Sequence, residues 1–327
     1  MARGALTAAA AIFFLVGLVI FAWNVRLPFI AYSPGLTTDA TNSVRVDGAD
    51  VYKPAGELVM LTVAGQDINA FEALVASADQ SVDLYAREVL RRPEETDEDY
   101  RRRNLELMDA STQTAVGVAL AHLEVADLPP RVFVTGYAAD TPAGALIEIG
   151  DRVVELDGVE VEVTDDLQAA MADNAPGDRV AMTVERQGHL VPFEVELSAF
   201  EDDAERPFIG IFVRQLPFWV DIDSGIVGGP SAGLMYTLAI IDVLTPEDLT
   251  HGNVVAGTGA VDADGNVGAV GGVRQKVVAA EAAGAAYMLV PQANYEAAQT
   301  APRTSLELVP VATVDEALEF LNGLSEV

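Results

Sequence analysis

The chain has no cysteine and only two lysines, and each shortage closes off a kind of chemistry. Without cysteine there is no disulfide scaffold, no thiolate nucleophile and no sulfur ligand for a metal. Basic residues are scarce as a class: 19 Lys and Arg stand against 50 Asp and Glu, giving a net charge of −31. That balance excludes nucleic acid as a partner, because such binding rests on neutralising phosphates. It would also repel an anionic bilayer, so membrane attachment would have to come from an inserted segment rather than a basic patch. Histidine is limited to His122, His189 and His251, none in a paired ligand spacing, so no metal and no cofactor is expected. Nucleotide is not expected either. A phosphate-binding loop needs Lys followed by Ser or Thr, whereas Lys53 precedes Pro54 and Lys276 precedes Val277. What is abundant is aliphatic: half of the residues are hydrophobic and only 7% aromatic, a composition suited to packed helices and strands. A length of 327 residues suits two or three such domains.

The 22 residues between Arg3 and Arg26 carry no charge. As one helix they would span about 33 Å, enough to cross a bilayer core. The run is longer than a signal-peptide core and no small-x-small cleavage site follows it, so the expectation is an uncleaved single-pass transmembrane anchor over residues 1–27. Trp23 stands where an interfacial aromatic would, and Arg3 with the amino terminus marks the positive side. The remainder of the chain is therefore expected outside the cytoplasm. Residues 28–127 read as a membrane-proximal region, extended at first, with a strand from Glu57 to Val63, and helical over 70–123. Arg101 to Arg103 sit among Glu94, Glu95, Asp97, Glu98 and Asp99, which makes a solvated helix face of them rather than an anion site.

After Pro129-Pro130 the pattern becomes short strands. Arg131 to Thr135 leads to the loop Asp140-Thr141-Pro142-Ala143, and Gly150-Asp151 leads into Arg152 to Leu156. Asp157-Gly158 forms a hairpin turn, Asp165 to Asn174 a helix, and Arg179 to Glu185 and Leu190 to Leu197 flank a second turn. In this order, the Pro-Ala loop, the Gly-Asp before a strand, the Asp-Gly hairpin and the Pro-Gly after the helix resemble a PDZ domain of the bacterial protease type, over residues 128–199. The resemblance implies binding of an extended peptide by strand addition.

The remaining segment, 200–327, carries two motifs. Gly228-Gly229-Pro230-Ser231-Ala232-Gly233 precedes an apolar run with helical spacing, so Ser231 falls at a helix N-terminus, where free N–H groups can stabilise an oxyanion. Read alone, Ser231 serves equally well as a helix cap. Gly271-Gly272 opens a second helix that closes at Gly284, with Lys276 in its first turn, a position that disfavours a cation. A lysine kept in a chain that otherwise uses 17 arginines suggests deprotonation, which arginine cannot perform. Lys276 follows Ser231 by 45 residues. Together with Thr258-Gly259, the hairpin turning at Asp264-Gly265 and the strand Tyr287 to Pro291, the two motifs resemble the Lon protease proteolytic domain.

That resemblance implies a Ser231 nucleophile and a Lys276 general base, with Thr258 holding the lysine and Gly229 and Gly233 supporting the nucleophile. It departs at Gly228, where many Lon enzymes have an acidic residue. A triad through His251 is the weaker alternative. The expected fold class is α+β multidomain: transmembrane helix, mixed membrane-proximal region, PDZ-like domain and Lon-type α/β proteolytic domain. The order matches PDZ-containing Lon-like peptidases, which implies an ATP-independent serine endopeptidase acting on unfolded or exposed segments of extracytoplasmic or membrane proteins. Expected partners are those polypeptides, the membrane through the first helix, and further copies of the chain, since Lon relatives form rings. The rival is a catalytically silent peptide-binding scaffold or adaptor.

Overall fold

Val254-Val255-Ala256-Gly257 and Tyr287-Met288-Leu289-Val290-Pro291 contain no charge, the pattern of parallel strands covered on both faces. In the computed structural model they are neighbours in one sheet. The structure describes the chain apart from residues 1–12, 14, 15, 18, 19, 124, 126, 127, 140, 201, 226 and 327. The chain divides into two compact units.

The first unit comprises Met1–Ser43, Tyr52–Ala119 and Ser224–Val327. Its sheet contains β1 (Arg26–Asp39), β2 (Glu57–Asn69), β3 (Asp83–Ala86), β4 (Val254–Gly257), β5 (Tyr287–Pro291) and β6 (Glu307–Val311), in the order β6-β5-β4-β2-β1-β3. The three C-terminal strands pair in parallel, and β2 joins them in parallel with Val59 opposite Ala256. On its other side β2 pairs antiparallel with β1. Three helices frame the site: α1 (Asp97–His122), α2 (Gly233–Leu244) and α3 (Val273–Ala282). All of α2 except Leu244 is buried, as expected of a helix apolar on every side. Helix α3 places Val273, Val277 and Ala280 in a core shared with Val59, Leu61, Met288 and Val290.

The second unit comprises Val44–Val51 and Leu120–Asp223. Its antiparallel sheet runs Ile211–Leu216, Arg131–Tyr137, Arg152–Leu156, Arg179–Arg186, His189–Glu196, with Val159–Glu160 paired to Arg152–Leu156. Alternate residues, among them Val132, Val134, Val180, Met182 and Val184, form the core. Asp157 and Gly158 adopt φ of 49° and 81°, the left-handed pair that a two-residue hairpin requires. A separate two-stranded ladder pairs Val44–Asp47 with Trp219–Ile222.

The expected membrane anchor is corrected. Among the described residues no helix is long and apolar enough to cross a membrane. Residues 13, 16, 17 and 20–24 are helical, and the chain leaves the helix at Val25 and is strand from Arg26; most of the rest of the charge-free run lies outside the described residues. A span requires about 20 consecutive helical residues, and the described part of the run is shorter than that. Trp23 stacks on Phe71 of the helix Ala70–Ala76, with ring centroids 5.4 Å apart. The fold class is mixed α/β, with no transmembrane helix among the described residues. Single-pass membrane localisation, the membrane as partner and the extracytoplasmic placement all rest on that anchor and fall with it. The helical stretch expected over 70–123 is interrupted: Asp83–Ala86 pairs with β1 as a strand, completing a sheet edge that local pattern does not reveal.

Candidate active site

The approach to Ser231 depends on glycine. Gly229 has φ 94°, a region that strains any side chain, and its N–H donates to the Asn104 carbonyl at 2.8 Å. Pro230–Ala232 makes one 3₁₀ turn that runs directly into α2. Two carbonyls of this turn are each held by two donors. Pro230 O accepts from Gly233 N–H and from Ser111 Oγ at 3.1 Å. Ser231 O accepts from Gly259 N–H at 2.9 Å and from Thr258 Oγ1 at 3.0 Å. The N–H groups of Ser231 and Ala232 meet no acceptor among the described residues, as the first amides of a helix do. Gly233 has to be glycine for closeness: a Cβ there would lie 2.9 Å from Ser111 Oγ and 3.1 Å from Val261 N.

Lys276 sits one turn into α3, whose preceding residue Gly272 supplies a left-handed φ of 66°. It is 1% exposed, and its Nζ donates to Thr258 Oγ1 at 2.8 Å. Thr258 is fully buried. A hydroxyl has one proton, and Thr258 gives its proton to Ser231 O, so toward Lys276 it is an acceptor. No carboxylate pairs with Lys276 among the described residues. Burial without a counter-charge pushes the ammonium down from 10.5 to about 7. The neutral amine uses one N–H on Thr258 and retains its lone pair, which is the requirement for a base.

The structure thus brings Ser231, Lys276, Thr258, Gly229 and Gly233 into one neighbourhood. Among the described residues no hydrogen bond runs from Ser231 Oγ to Lys276 Nζ; the link passes through Thr258. His251 adopts φ 50° in a backbone turn over 248–253, and no hydrogen bond joins it to Ser231 among the described residues. Sequence reading missed Asn104 and Ser111 on α1. The signal was present in the buried stripe Met108, Ser111, Ala115, Ala119, where a lone hydroxyl among apolar residues needs a partner.

Comparisons with known proteins place the chain in a family. The family model for the Lon protease C-terminal proteolytic domain matches residues 108–323, more than half of the chain. The Lon protease of Campylobacter concisus is 25% identical over 206 residues, covering 60% of this chain and 25% of the relative. That of Clostridioides difficile is 29% identical over 213 residues, covering 63% and 24%. That of Phenylobacterium zucineum reaches 39% over 94 residues, covering 28% and 12%. The chain spans about a quarter of the length of the first two relatives it matches. Among solved structures, the PDZ domain of an SdrC-like protein from Listeria monocytogenes is similar at 23% identity and a TM-score of 0.24, covering 25% of this chain and 86% of that one. A family match running from α1 through the serine turn, Thr258 and the lysine helix to the last helix makes this chain a member of the Lon protease proteolytic-domain family.

Proposed function

We propose that the chain is a serine endopeptidase that cleaves unfolded or exposed polypeptide segments without ATP, using Ser231 as nucleophile and Lys276 as general base. The observation that carries this reading is the lysine. A fully buried amine with no anion beside it among the described residues, bonded there only to a hydroxyl already committed as a donor, has a structural cost and no structural benefit that arginine or methionine would not match. Neutral Lys276 takes the proton as Ser231 Oγ adds to the scissile carbonyl. The tetrahedral oxyanion faces the N–H groups of Ser231 and Ala232 at the positive end of α2. Collapse breaks the C–N bond, Lys276 returns its proton to the leaving amine, and an acyl ester stays on Ser231. Water, deprotonated by Lys276, then releases the acid product and restores the serine. Neither lysine lies in a nucleotide-binding loop, so substrates would arrive already unfolded or offer loose tails.

Fluorophosphonate labelling followed across pH tests the reading. The adduct should form on Ser231, follow a single deprotonation near 7, and be lost in Lys276→Arg. No adduct at Ser231 at any pH would overturn it in favour of a silent scaffold.

A further inference from the structure

Helix α1 crosses behind the serine turn and touches it at three points. The Asn104 carbonyl receives Gly229 N–H at 2.8 Å, and Ser111 Oγ donates to Pro230 O at 3.1 Å. Between the helix and Gly228 there is no room for a side chain: a Cβ on Gly228 would lie 2.9 Å from Asn104 Cβ and 3.3 Å from its carbonyl carbon. Gly228 does not adopt a positive φ, so its lack of a side chain serves proximity alone. Ser111 also behaves unlike its neighbours. The hydroxyls of Thr112 and Thr114 bond back to Asp109 O and Ala110 O within α1, the usual habit of a helical hydroxyl. Ser111, only 6% exposed, reaches across to another segment instead.

The carbonyl that Ser111 holds belongs to a particular peptide plane. Pro230 C=O and Ser231 N–H are two ends of one rigid trans unit and point in opposite directions. Fixing the carbonyl on the α1 side therefore fixes the direction of the Ser231 N–H on the other side. We propose that Ser111 is a positioning residue that locks the Pro230–Ser231 peptide plane and so aims the Ser231 N–H at the oxyanion of the substrate. The next plane is locked in the same way by Thr258 and Gly259 on Ser231 O, which aims the Ala232 N–H. Each donor is thus set from behind by a hydroxyl on a different element, Ser111 on α1 and Thr258 after β4. Gly228 is part of the same device, because a side chain there would push the turn away from α1. The inference rests on Ser231 being the nucleophile.

The test uses the full chain, a peptide substrate and a peptide boronate, which forms a tetrahedral adduct on serine. In Ser111→Ala the helix keeps a good helix former and Pro230 O keeps Gly233 N–H, so the fold should persist. The expected result is a fall in kcat of about ten- to a hundredfold with KM little changed, and an equal loss of boronate affinity. The pH midpoint should stay where it is in the wild type, because Lys276 and Thr258 are untouched. Gly228→Ala, at an exposed position, should give the same signature by sterics alone. Boronate affinity in Ser111→Ala within twofold of wild type would overturn the proposal, as would a shifted pH midpoint, which would place Ser111 on the lysine's side. Failure of wild-type Ser231 to take up fluorophosphonate would overturn the nucleophile reading and this inference together. Labelling of the wild type together with unchanged kcat and boronate affinity in Ser111→Ala would sink the inference alone.

Discussion

Replacing Lys276 with methionine should make the protein more stable at neutral pH while abolishing its chemistry. The lysine titrates at about 7 in the folded protein against 10.5 when exposed. Between those pH values the unfolded chain holds a proton that the folded chain has lost, so stability rises with pH by about 1.4 kcal/mol per unit. The interval of 3.5 units between 10.5 and about 7 amounts to about 5 kcal/mol of penalty at pH 7, constant at lower pH and gone by pH 10.5. Methionine fills nearly the same volume without a charge to strip of water, and forfeits the hydrogen bond to Thr258, about 1 kcal/mol. The net expectation is a gain of about 4 kcal/mol at pH 7 that shrinks to nothing near pH 10. Urea unfolding of both proteins at several pH values, read from amide protection over residues 273–282, reports the unit that carries Lys276. Taking the difference between the two proteins cancels every other titrating group. A difference independent of pH, or a methionine variant less stable at pH 7, would refute the account of Lys276 as a buried neutral amine.

Lys276→Arg should lose about a thousandfold in single-turnover acylation, as much as Lys276→Ala, since arginine keeps its proton; a rate within tenfold of wild type would remove Lys276 as the base and return His251 to consideration. Glu281, near the end of α3, accepts from the N–H groups of Thr304, Ser305 and Leu306 and from the Thr304 hydroxyl, and these bonds lower its pKa to about 2. Glu281→Ala should therefore lower Tm above pH 4.5, with the deficit closing as the pH falls toward 2; a deficit that persists in acid would mean the carboxylate is not its source. Asp242 in α2 is buried, bonded among the described residues only to Leu249 N–H at 2.9 Å, and burial raises its pKa to about 6. Its folded value exceeds 3.8, so its charge destabilises above pH 6 and not below 3.8. Asp242→Asn should gain about 2 to 3 kcal/mol at pH 7 and little at pH 4, and equal effects at both would contradict this.

Elements whose signal is local were legible in the sequence. The lysine helix opens after Gly272 and stops before Gly284 because both glycines adopt left-handed angles, and Asp157-Gly158 and Asp264-Gly265 turn where their residue types predict. The serine motif and a lysine retained against 17 arginines pointed to the residues that Thr258 links. Long-range pairing was not legible. Nothing in Arg26–Asp39 or Glu57–Asn69 says that they extend a sheet whose parallel members begin at Val254, since a strand's pattern records which face is buried and not which strand lies beside it. The N-terminal apolar run was read as a membrane span, whereas among the described residues no helix is long and apolar enough to cross a membrane.

The pairing of Val59 with Ala256 also imposes a schedule on synthesis. Strand β2 leaves the ribosome 197 residues before the partner it needs, a wait of about 10 to 40 s at ordinary translation rates. During that interval its apolar residues have no parallel neighbour, and Lys276, which follows Ala256 by 20 residues, has not yet been made. The ladder between Val44–Asp47 and Trp219–Ile222 shortens the wait in conformational terms. Once Asp47 meets Trp219, the loop to be closed between Val59 and Ala256 contracts from 197 residues to an effective 49, counting 12 on one side and 37 on the other. Closing the shorter loop costs about 1 kcal/mol less. On the proposed assignment the base lies beyond Ala256 in the chain, so the dyad is completed only after the partner strand of β2 has been made, and a shorter nascent chain cannot cut itself.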